Sequence, residues 1–443
     1  MRSRATVILM LSLLAAGCGE GLGEGDSTTR PPASTTGPTA TSTTGPVSIT
    51  VPGPATTTAP APWAGAGFPE AMSPESIPWD EVGPGWLLVR YAQSTETTGS
   101  TSPEALFLID RENTFYAVAE WDGREILDWS ADGRSVLTFD GMLQVIDLVD
   151  GAEYTVPADL AAGSDDRIDA RFSPTGDDIV VRILSWEEHV RLERWAVDGA
   201  LAATLADLDL ATYTYGDPEF VQMGITWLYG PAGSQVAVAT SDGISLLTDQ
   251  GALIRQLDAP GLGCTLSRWW DQGSVLAACY DADWAASECW YRGPIPDGRS
   301  LWSVPIDGSP AARLTPQPVC TADPAEAAAP YEDGLHAGSS VAACTGHCCE
   351  CGGNLELITG STITTWTGYP GSLPCSPSLI AARGDRVLVL DTVYGSDPNQ
   401  GATGWLGVVF EVAADGATQP ITPVEPGWYG GVRQALTTEE AGG

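Results

Sequence analysis

Short strand-like runs separated by Asp-Gly or Gly turns recur along this chain, and this repetition restricts its fold more than any other feature. The clearest copy runs from Trp129 to Leu137 and continues into an apolar run at 143–148 and a second turn at Asp150-Gly151. Glycine supplies the positive φ that tight hairpin turns need, and short runs between such turns are typical of antiparallel strands. The sequence therefore predicts an all-β fold.

The copies follow one another at the spacing of propeller blades. Further copies begin at Phe172 and Tyr229, and a first copy at 86–109 lacks the turn signature. Weaker copies can be read at 270–308, 335–358 and 384–416. A period of about 40 to 65 residues is that of β-propellers rather than of helical solenoids. We count seven blades in a propeller domain at 63–435, with six or eight as alternatives.

The motif resembles the repeat of TolB-like β-propellers. In that repeat an aromatic residue, a serine and a glycine turn precede one strand, and a second strand ends in Asp-Gly followed by Leu-Thr. Among the better matches are Arg134 and the segment from Leu301 to Gly308, which continues to Leu314-Thr315. The resemblance implies the propeller fold and leaves the ligand open, because this repeat describes how blades turn.

The N-terminus resembles a bacterial lipoprotein signal. Arg2 and Arg4 precede an apolar segment at 5–14, which leads to Leu14-Ala-Ala-Gly-Cys18. That segment is too short to span a bilayer permanently. We expect cleavage after residue 17, lipidation of Cys18 and attachment of the exported protein to the bacterial cell membrane. No later segment approaches 18 consecutive apolar residues, so no transmembrane helix is expected.

The segment 18–62 reads as a tether between this anchor and the propeller. It consists mainly of Thr, Ser, Pro and Gly and contains almost no large apolar side chain. Such a segment cannot bury enough surface to offset the entropy lost on ordering, so we expect it to be disordered. The last residues, 436–443, are expected to form a flexible tail.

The charge of the chain excludes several functions. It has 57 acidic against 20 basic residues, and every basic residue is an arginine. Without lysine the chain can form neither a P-loop nor a Schiff base. Nucleic-acid binding needs a basic face, which a chain of net charge −37 does not provide.

Nine cysteines follow Cys18, and all are interpreted as lying in insertions of the fifth and sixth copies. In an exported protein disulfides are their default use, with Cys264–Cys279 and Cys289–Cys320 as natural local pairs. The alternatives are a structural zinc site around His347 and a redox-active thiol. The disulfide candidates are Cys264, Cys279, Cys289, Cys320, Cys344, Cys348, Cys349, Cys351 and Cys375.

One insertion also carries the ligand-binding candidates Trp284, Trp290 and Tyr291. Loops at the rim of a propeller are a usual place for ligands, and tryptophan rings stack on sugars or peptides. The alternative is that these rings fold the loop back on itself. Acid pairs such as Asp177-Asp178 could hold calcium, but their spacing is not that of a calcium loop and is equally typical of a solvated surface.

No catalytic motif stands out. The sequence has no Gly-x-Ser-x-Gly elbow and no following α/β-hydrolase domain. We therefore expect a monomeric, non-catalytic module that binds an envelope protein, a peptide or a cell-wall glycan, without a cofactor. The alternative is an extracytoplasmic enzyme, a glycan hydrolase or lyase, built on the same scaffold.

Overall fold

The computed structural model describes thirteen stretches of the chain. The chain divides into two units, Met1–Thr56 and Thr57–Gly443, and every described residue belongs to the second unit. No helix among these residues is long and apolar enough to span a membrane. The described residues are 68–93, 103–156, 167–185, 189–197, 199–209, 226–240, 243–280, 299–316, 331–345, 354–366, 375–396, 403–423 and 431–438.

These residues form antiparallel strands, preceded by one short 3-10 turn at Pro74–Ser76. In chain order the strands are β1 (Leu87–Ala92), β2 (Glu104–Ile109), β3 (Phe115–Trp121), β4 (Glu125–Trp129), β5 (Ser135–Phe139), β6 (Leu143–Asp147), β7 (Glu153–Thr155), β8 (Arg167–Phe172), β9 (Asp178–Ser185), β10 (His189–Ala196), β11 (Leu201–Asp209), β12 (Thr226–Tyr229), β13 (Gln235–Thr240) and β14 (Gly243–Thr248). They continue as β15 (Leu253–Leu257), β16 (Leu262–Asp271), β17 (Ser274–Tyr280), β18 (Arg299–Pro305), β19 (Ala312–Arg313), β20 (Tyr331–Ala337), β21 (Ser340–Thr345), β22 (Leu355–Thr359), β23 (Thr362–Trp366), β24 (Cys375–Arg383), β25 (Arg386–Ser396), β26 (Thr403–Ala413), β27 (Thr418–Pro420) and β28 (Gly431–Thr437).

The strands are arranged as seven four-stranded sheets, the blades of a seven-bladed β-propeller. Sheets 2 to 7 each use four consecutive strands, from β4–β7 through β24–β27. Sheet 1 differs because its order is β28-β1-β2-β3, so the last strand of the chain completes the first blade. The predicted all-β fold and the count of seven blades are therefore confirmed.

The first strands of most neighbouring sheets contact one another, so β28, β4, β8, β12, β16, β20 and β24 are the inner strands around the axis. Apolar side chains fill the space between each pair of neighbouring sheets, in seven separate clusters. The second strand of a blade is covered on both faces, which explains why β17 is buried along its whole length. The outermost strand β15 is instead exposed over four of its five residues.

The glycine turns lie where the repeat predicts them. Gly133 and Gly176, between the first and second strands of sheets 2 and 3, have φ of 72° and 75°. The first copy lacks this signature for a structural reason. Its first strand, β28, comes from the other end of the chain, so no turn joins the first and second strands of sheet 1.

A lead-in segment, residues 68–86, wraps around blade 1 before β1 begins. Met72 bridges in parallel to Tyr116 on the outermost strand β3, and its N–H donates to the carbonyl of Phe115 over 2.8 Å. Phe68 lies against Tyr91 with ring centroids 6.3 Å apart, in the cluster between sheets 7 and 1. Further along the lead-in, Ile77, Val82 and Trp86 join the cluster between sheets 1 and 2.

The positions of the cysteines and the end of the domain differ from the sequence interpretation. Cys264, Cys279 and Cys344 lie within β16, β17 and β21, and Cys375 begins β24, so the insertions do not hold every cysteine. Strand β28 continues to Thr437, which pairs with Leu87, beyond the expected end of the domain at 435. Pairing with β1 therefore orders residues that were expected to belong to a flexible tail.

Closure of the ring depends on a missing side chain. Gly407 on β26 lies so close to β28 that a Cβ there would be 1.7 Å from the carbonyl oxygen of Val432. Gly407→Ala should push β28 away and lower the free energy of unfolding by about 1–3 kcal/mol, as overpacking does. Urea denaturation measures this change.

Gly83→Ala is the control, because a Cβ at Gly83 would have no atom within 4 Å. Equal stability of the two variants would show that β28 does not need the close approach at Gly407.

Candidate functional site

The two ends of the propeller differ in the length of their connections. At one end, turns join the first strand to the second in blades 2 to 7 and the third strand to the fourth in every blade, and the longest of those between described strands is 306–311. We call this the short-turn end. At the opposite end lie the connections between second and third strands and from one blade to the next, including 210–225, 281–298 and 314–330. We call this the loop-bearing end.

The short-turn end is occupied by its own hydrogen bonds. Seven turn carboxylates there each accept the N–H two residues further along, over 2.7–3.1 Å. Such bonds hold the turn in one conformation, and the charged carboxylate already accepts a backbone hydrogen bond. The backbone N–H of Ser309 is the main reason why the pKa of Asp307 is lowered. The seven residues are Asp110, Asp132, Asp147, Asp150, Asp271, Asp307 and Asp415.

Polar side chains tie the inner strands of adjacent blades together. Asp128 on β4 accepts the N–H of Phe172 on β8 over 2.7 Å. Thr226 on β12 accepts the N–H of Leu266 on β16 over 2.8 Å. An inner strand has a neighbour on only one side, so these side chains provide acceptors for backbone groups at its open edge.

An ion pair also joins the inner strands of blades 5 and 6. A β-bulge at Ser267 shifts the register of β16 against β17 just before Arg268. The Arg268 guanidinium donates from Nε to Asp333 Oδ1 over 2.9 Å and from Nη2 to Asp333 Oδ2. Nη2 also lies 3.4 Å from the carbonyl oxygen of Leu379 on β24. One arginine thus connects three blades, as a bidentate pair allows.

At the loop-bearing end of blade 5, a disulfide and a cation–π contact fix the ends of the strands. Cys264 on β16 is bonded to Cys279 on β17, which is the local pair expected from the sequence. The guanidinium of Arg299 lies over the ring of Tyr280, 4.8 Å from its centroid. Tyr280 and Arg299 are paired across β17 and β18, so the connection 281–298 starts and finishes at two adjacent, well-held positions.

Blade 6 has a buried polar pair at the same end. The hydroxyl of Tyr331, at the start of β20, donates to Glu356 Oε2 on β22 over 2.5 Å. Burial, and secondly the hydrogen bond to Glu356, raise the pKa of Tyr331 well above its usual range. The phenol is therefore held neutral as a donor, and the pair spans the intervening strand β21. Sequence reasoning missed this pair because neither residue belongs to a recognisable motif.

Most of the predicted site residues lie outside the described residues. This holds for Cys18, for the ligand candidates Trp284, Trp290 and Tyr291, and for Cys289, Cys320, Cys348, Cys349 and Cys351. The strands that flank the three aromatic residues end at the loop-bearing end. Within the described part of the chain, no group of three or more His, Cys, Asp or Glu side chains is placed to hold a metal ion.

Comparison with known proteins gives structural likeness without a family. No protein-family model matches the sequence, and no curated protein matches it. The propeller domain of the Trilobed protease from Pyrococcus furiosus is 10% identical, with 76% of this chain and 94% of that chain covered and a TM-score of 0.45. A Pyrococcus horikoshii acylaminoacyl peptidase is 8% identical over 76% of this chain and 51% of its own, with a TM-score of 0.47. A candidate TolB of Agrobacterium tumefaciens is 13% identical over 77% and 89%, with a TM-score of 0.35.

These neighbours are similar to the chain in fold alone. The present chain spans only about half the length of the acylaminoacyl peptidase. The count of seven blades comes from the seven four-stranded sheets of this structure itself.

The ion pair of the inner strands can be tested by a double-mutant cycle with Arg268→Ala and Asp333→Ala. The side chains are only 21% and 25% exposed, so we expect a coupling free energy of about 1–2 kcal/mol in urea denaturation.

The control cycle uses Arg134 and Asp80, which are 2.8 Å apart but 41% and 96% exposed. Water screens that pair, so its coupling should stay below about 0.5 kcal/mol. Equal coupling in the two cycles would contradict a special role for the inner pair.

Proposed function

We propose that this protein is an exported, lipid-anchored β-propeller that binds an envelope protein, a peptide or a cell-wall glycan through its loop-bearing end, without catalysing a reaction. The observation that carries this proposal is the asymmetry of the two ends. The longest connections, 210–225, 281–298 and 314–330, all leave from strands at the same end. Variable loops on a rigid scaffold are where binding function concentrates.

The described residues support a binding scaffold more than a reactive site. The ion pair of Arg268 with Asp333 neutralises both charges, and the carboxylate of Asp128 is bonded to the next blade. At the short-turn end the turn carboxylates accept their own backbone N–H groups. These groups hold the blades in place, which leaves the loop-bearing end for recognition.

Export to an oxidising compartment is supported by the disulfide between Cys264 and Cys279, because such bonds persist outside the reducing cytosol. The lipoprotein signal at 1–17 and the tether at 18–62 then provide an anchor and a spacer. A propeller on a long tether can present one end to partners at a distance from the membrane surface.

The binding proposal is tested by removing one long connection. Tyr280 and Arg299 pair directly, so residues 281–298 can be replaced by Asn-Gly, the preferred two-residue hairpin turn. We expect the full-length variant to capture at most about one tenth of the material that the parent captures from envelope extract, measured by quantitative mass spectrometry. A tenfold loss corresponds to about 1.4 kcal/mol of binding free energy.

The matched control changes the opposite end. Val149→Ser and Leu253→Ser replace exposed apolar side chains there, which are 46% and 63% exposed. This double variant should capture as much as the parent. Loss of capture in the control, or full capture by the shortened variant, would contradict recognition by the loop-bearing end. Turnover of a captured glycan by the purified parent would establish the enzymatic alternative.

The anchor is tested separately by Cys18→Ser. We expect this variant to lose incorporation of labelled palmitate and to move from the membrane fraction to the soluble fraction, because no other lipid attachment site is expected. Ser27→Ala, a substitution of similar size in the tether, should leave both readouts unchanged. A Cys18→Ser protein that remained in the membrane fraction would overturn the lipoprotein assignment.

A further inference from the structure

Cys344 lies between two blades. It is the fifth residue of β21, the second strand of blade 6, and its side chain is only 8% exposed. It belongs to the apolar cluster that sheet 6 shares with sheet 7, together with Leu379 and Val389 of sheet 7. The sulfur therefore faces blade 7 rather than the rest of its own blade.

Comparison with blade 5 explains this orientation. Strand β17 reads Ser274-Val-Leu-Ala-Ala-Cys279, whereas β21 reads Ser340-Val-Ala-Ala-Cys344, with one residue fewer between serine and cysteine. Successive side chains of a strand point to opposite faces, so the shorter spacing turns Cys344 to the other face of its sheet. Cys279 faces blade 4 and bonds to Cys264 within its own sheet. Cys344 instead faces blade 7, away from the strands of its own sheet.

Cys344 contacts the first strand of blade 7, which also carries a cysteine. The Sγ of Cys344 lies 3.0 Å from the carbonyl oxygen of Pro377 on β24. Cys375 begins the same strand two residues earlier, and its backbone is paired with Thr392 on β25. Cys375 is also the only cysteine in the sequence after Cys351, so it is the only one that blade 7 contributes.

We propose that Cys344 and Cys375 form a disulfide that joins blade 6 to blade 7. In forming the bond the two thiols lose two protons and two electrons. A disulfide-carrying thiol oxidoreductase of the envelope accepts them by thiol–disulfide exchange, through a mixed disulfide, and leaves as its dithiol. The disulfide between Cys264 and Cys279 requires an oxidant of the same class.

This bond differs from the first disulfide in what it connects. Cys264–Cys279 joins neighbouring strands of one sheet, whereas Cys344–Cys375 would join two sheets that otherwise meet through side chains. Its two ends lie beside the connections 346–354 and 367–374, at the loop-bearing end. It would fix the positions from which both connections leave, whether or not the proposed binding function is correct.

Peptide mapping of the non-reduced, alkylated full chain tests the bond. Trypsin alone is uninformative because no arginine lies between Arg313 and Arg383. Additional cleavage after glutamate gives a peptide 333–350, which contains Cys344, and a peptide 357–383, which contains only Cys375. In a chain with Cys348→Ser and Cys349→Ser, we expect these two peptides to be linked and to separate on reduction.

A second readout uses accessibility to alkylation after unfolding without reductant. In Cys344→Ser the alkylation of Cys375 should rise at least tenfold over the parent chain. In the control Cys264→Ser, Cys279 should become reactive while Cys375 stays protected. Alkylation of Cys375 in the parent, or its linkage to a peptide carrying Cys351, Cys289 or Cys320, would overturn the proposal. If Cys344→Ser fails to fold, peptide mapping of the chain that retains Cys344 still shows whether Cys344 and Cys375 are linked.

Discussion

Hydrogen bonding between β28 and β1 is the interaction on which the rest of the propeller depends. It joins residues 431–437 to residues 87–92 and supplies sheet 1 with its inner strand. The entropy of closing so long a loop is tolerable, because each doubling of loop length costs only about 0.6 kcal/mol. A ring without this closure would expose two apolar sheet faces, since the clusters between sheets 7 and 1 and between sheets 1 and 2 would lose Val432 and Leu436.

Two further contacts reinforce the closure of the ring beside blade 1. Arg383 donates to Asn113 Oδ1 and to the carbonyl of Gly85, and Phe68 of the lead-in packs beside Tyr91.

The difference between the two ends follows from closure together with an even number of strands in each blade. With four antiparallel strands, a blade starts and finishes at the same end, so every connection between blades lies there. An insertion between blades, such as 314–330, therefore does not disturb the turn glycines at the opposite end. The long connections 210–225, 281–298 and 314–330 thus all lie at one end, which is why we propose that recognition takes place there.

The sequence predicted those parts of the fold that depend on local chemistry. The turns at Gly133 and Gly176 and the blade period follow from residue type and spacing. Contacts that join distant segments could not be predicted in this way. Nothing in residues 431–437 indicates pairing with β1, and the salt bridge of Arg268 with Asp333 depends on a bulge in β16 that has no sequence signature. The sequence interpretation placed every cysteine after Cys18 in an insertion, whereas Cys264 and Cys279 lie on adjacent strands of one sheet.

A propeller has no single core, and this determines where cross-links are useful. Its apolar side chains form seven clusters between sheets, so the rigidity of each strand end depends on the few residues beside it. At the short-turn end, hydrogen bonds from carboxylates such as Asp132 and Asp307 provide that rigidity within each turn. At the loop-bearing end of blades 5 and 6, the connections 281–298, 314–330 and 346–354 are too long to close as tight turns. The Cys264–Cys279 disulfide and the Tyr331–Glu356 pair hold the strands together there instead. A loop that leaves from fixed strand ends loses less conformational entropy on binding, and hence a disulfide near its base favours recognition as well as stability.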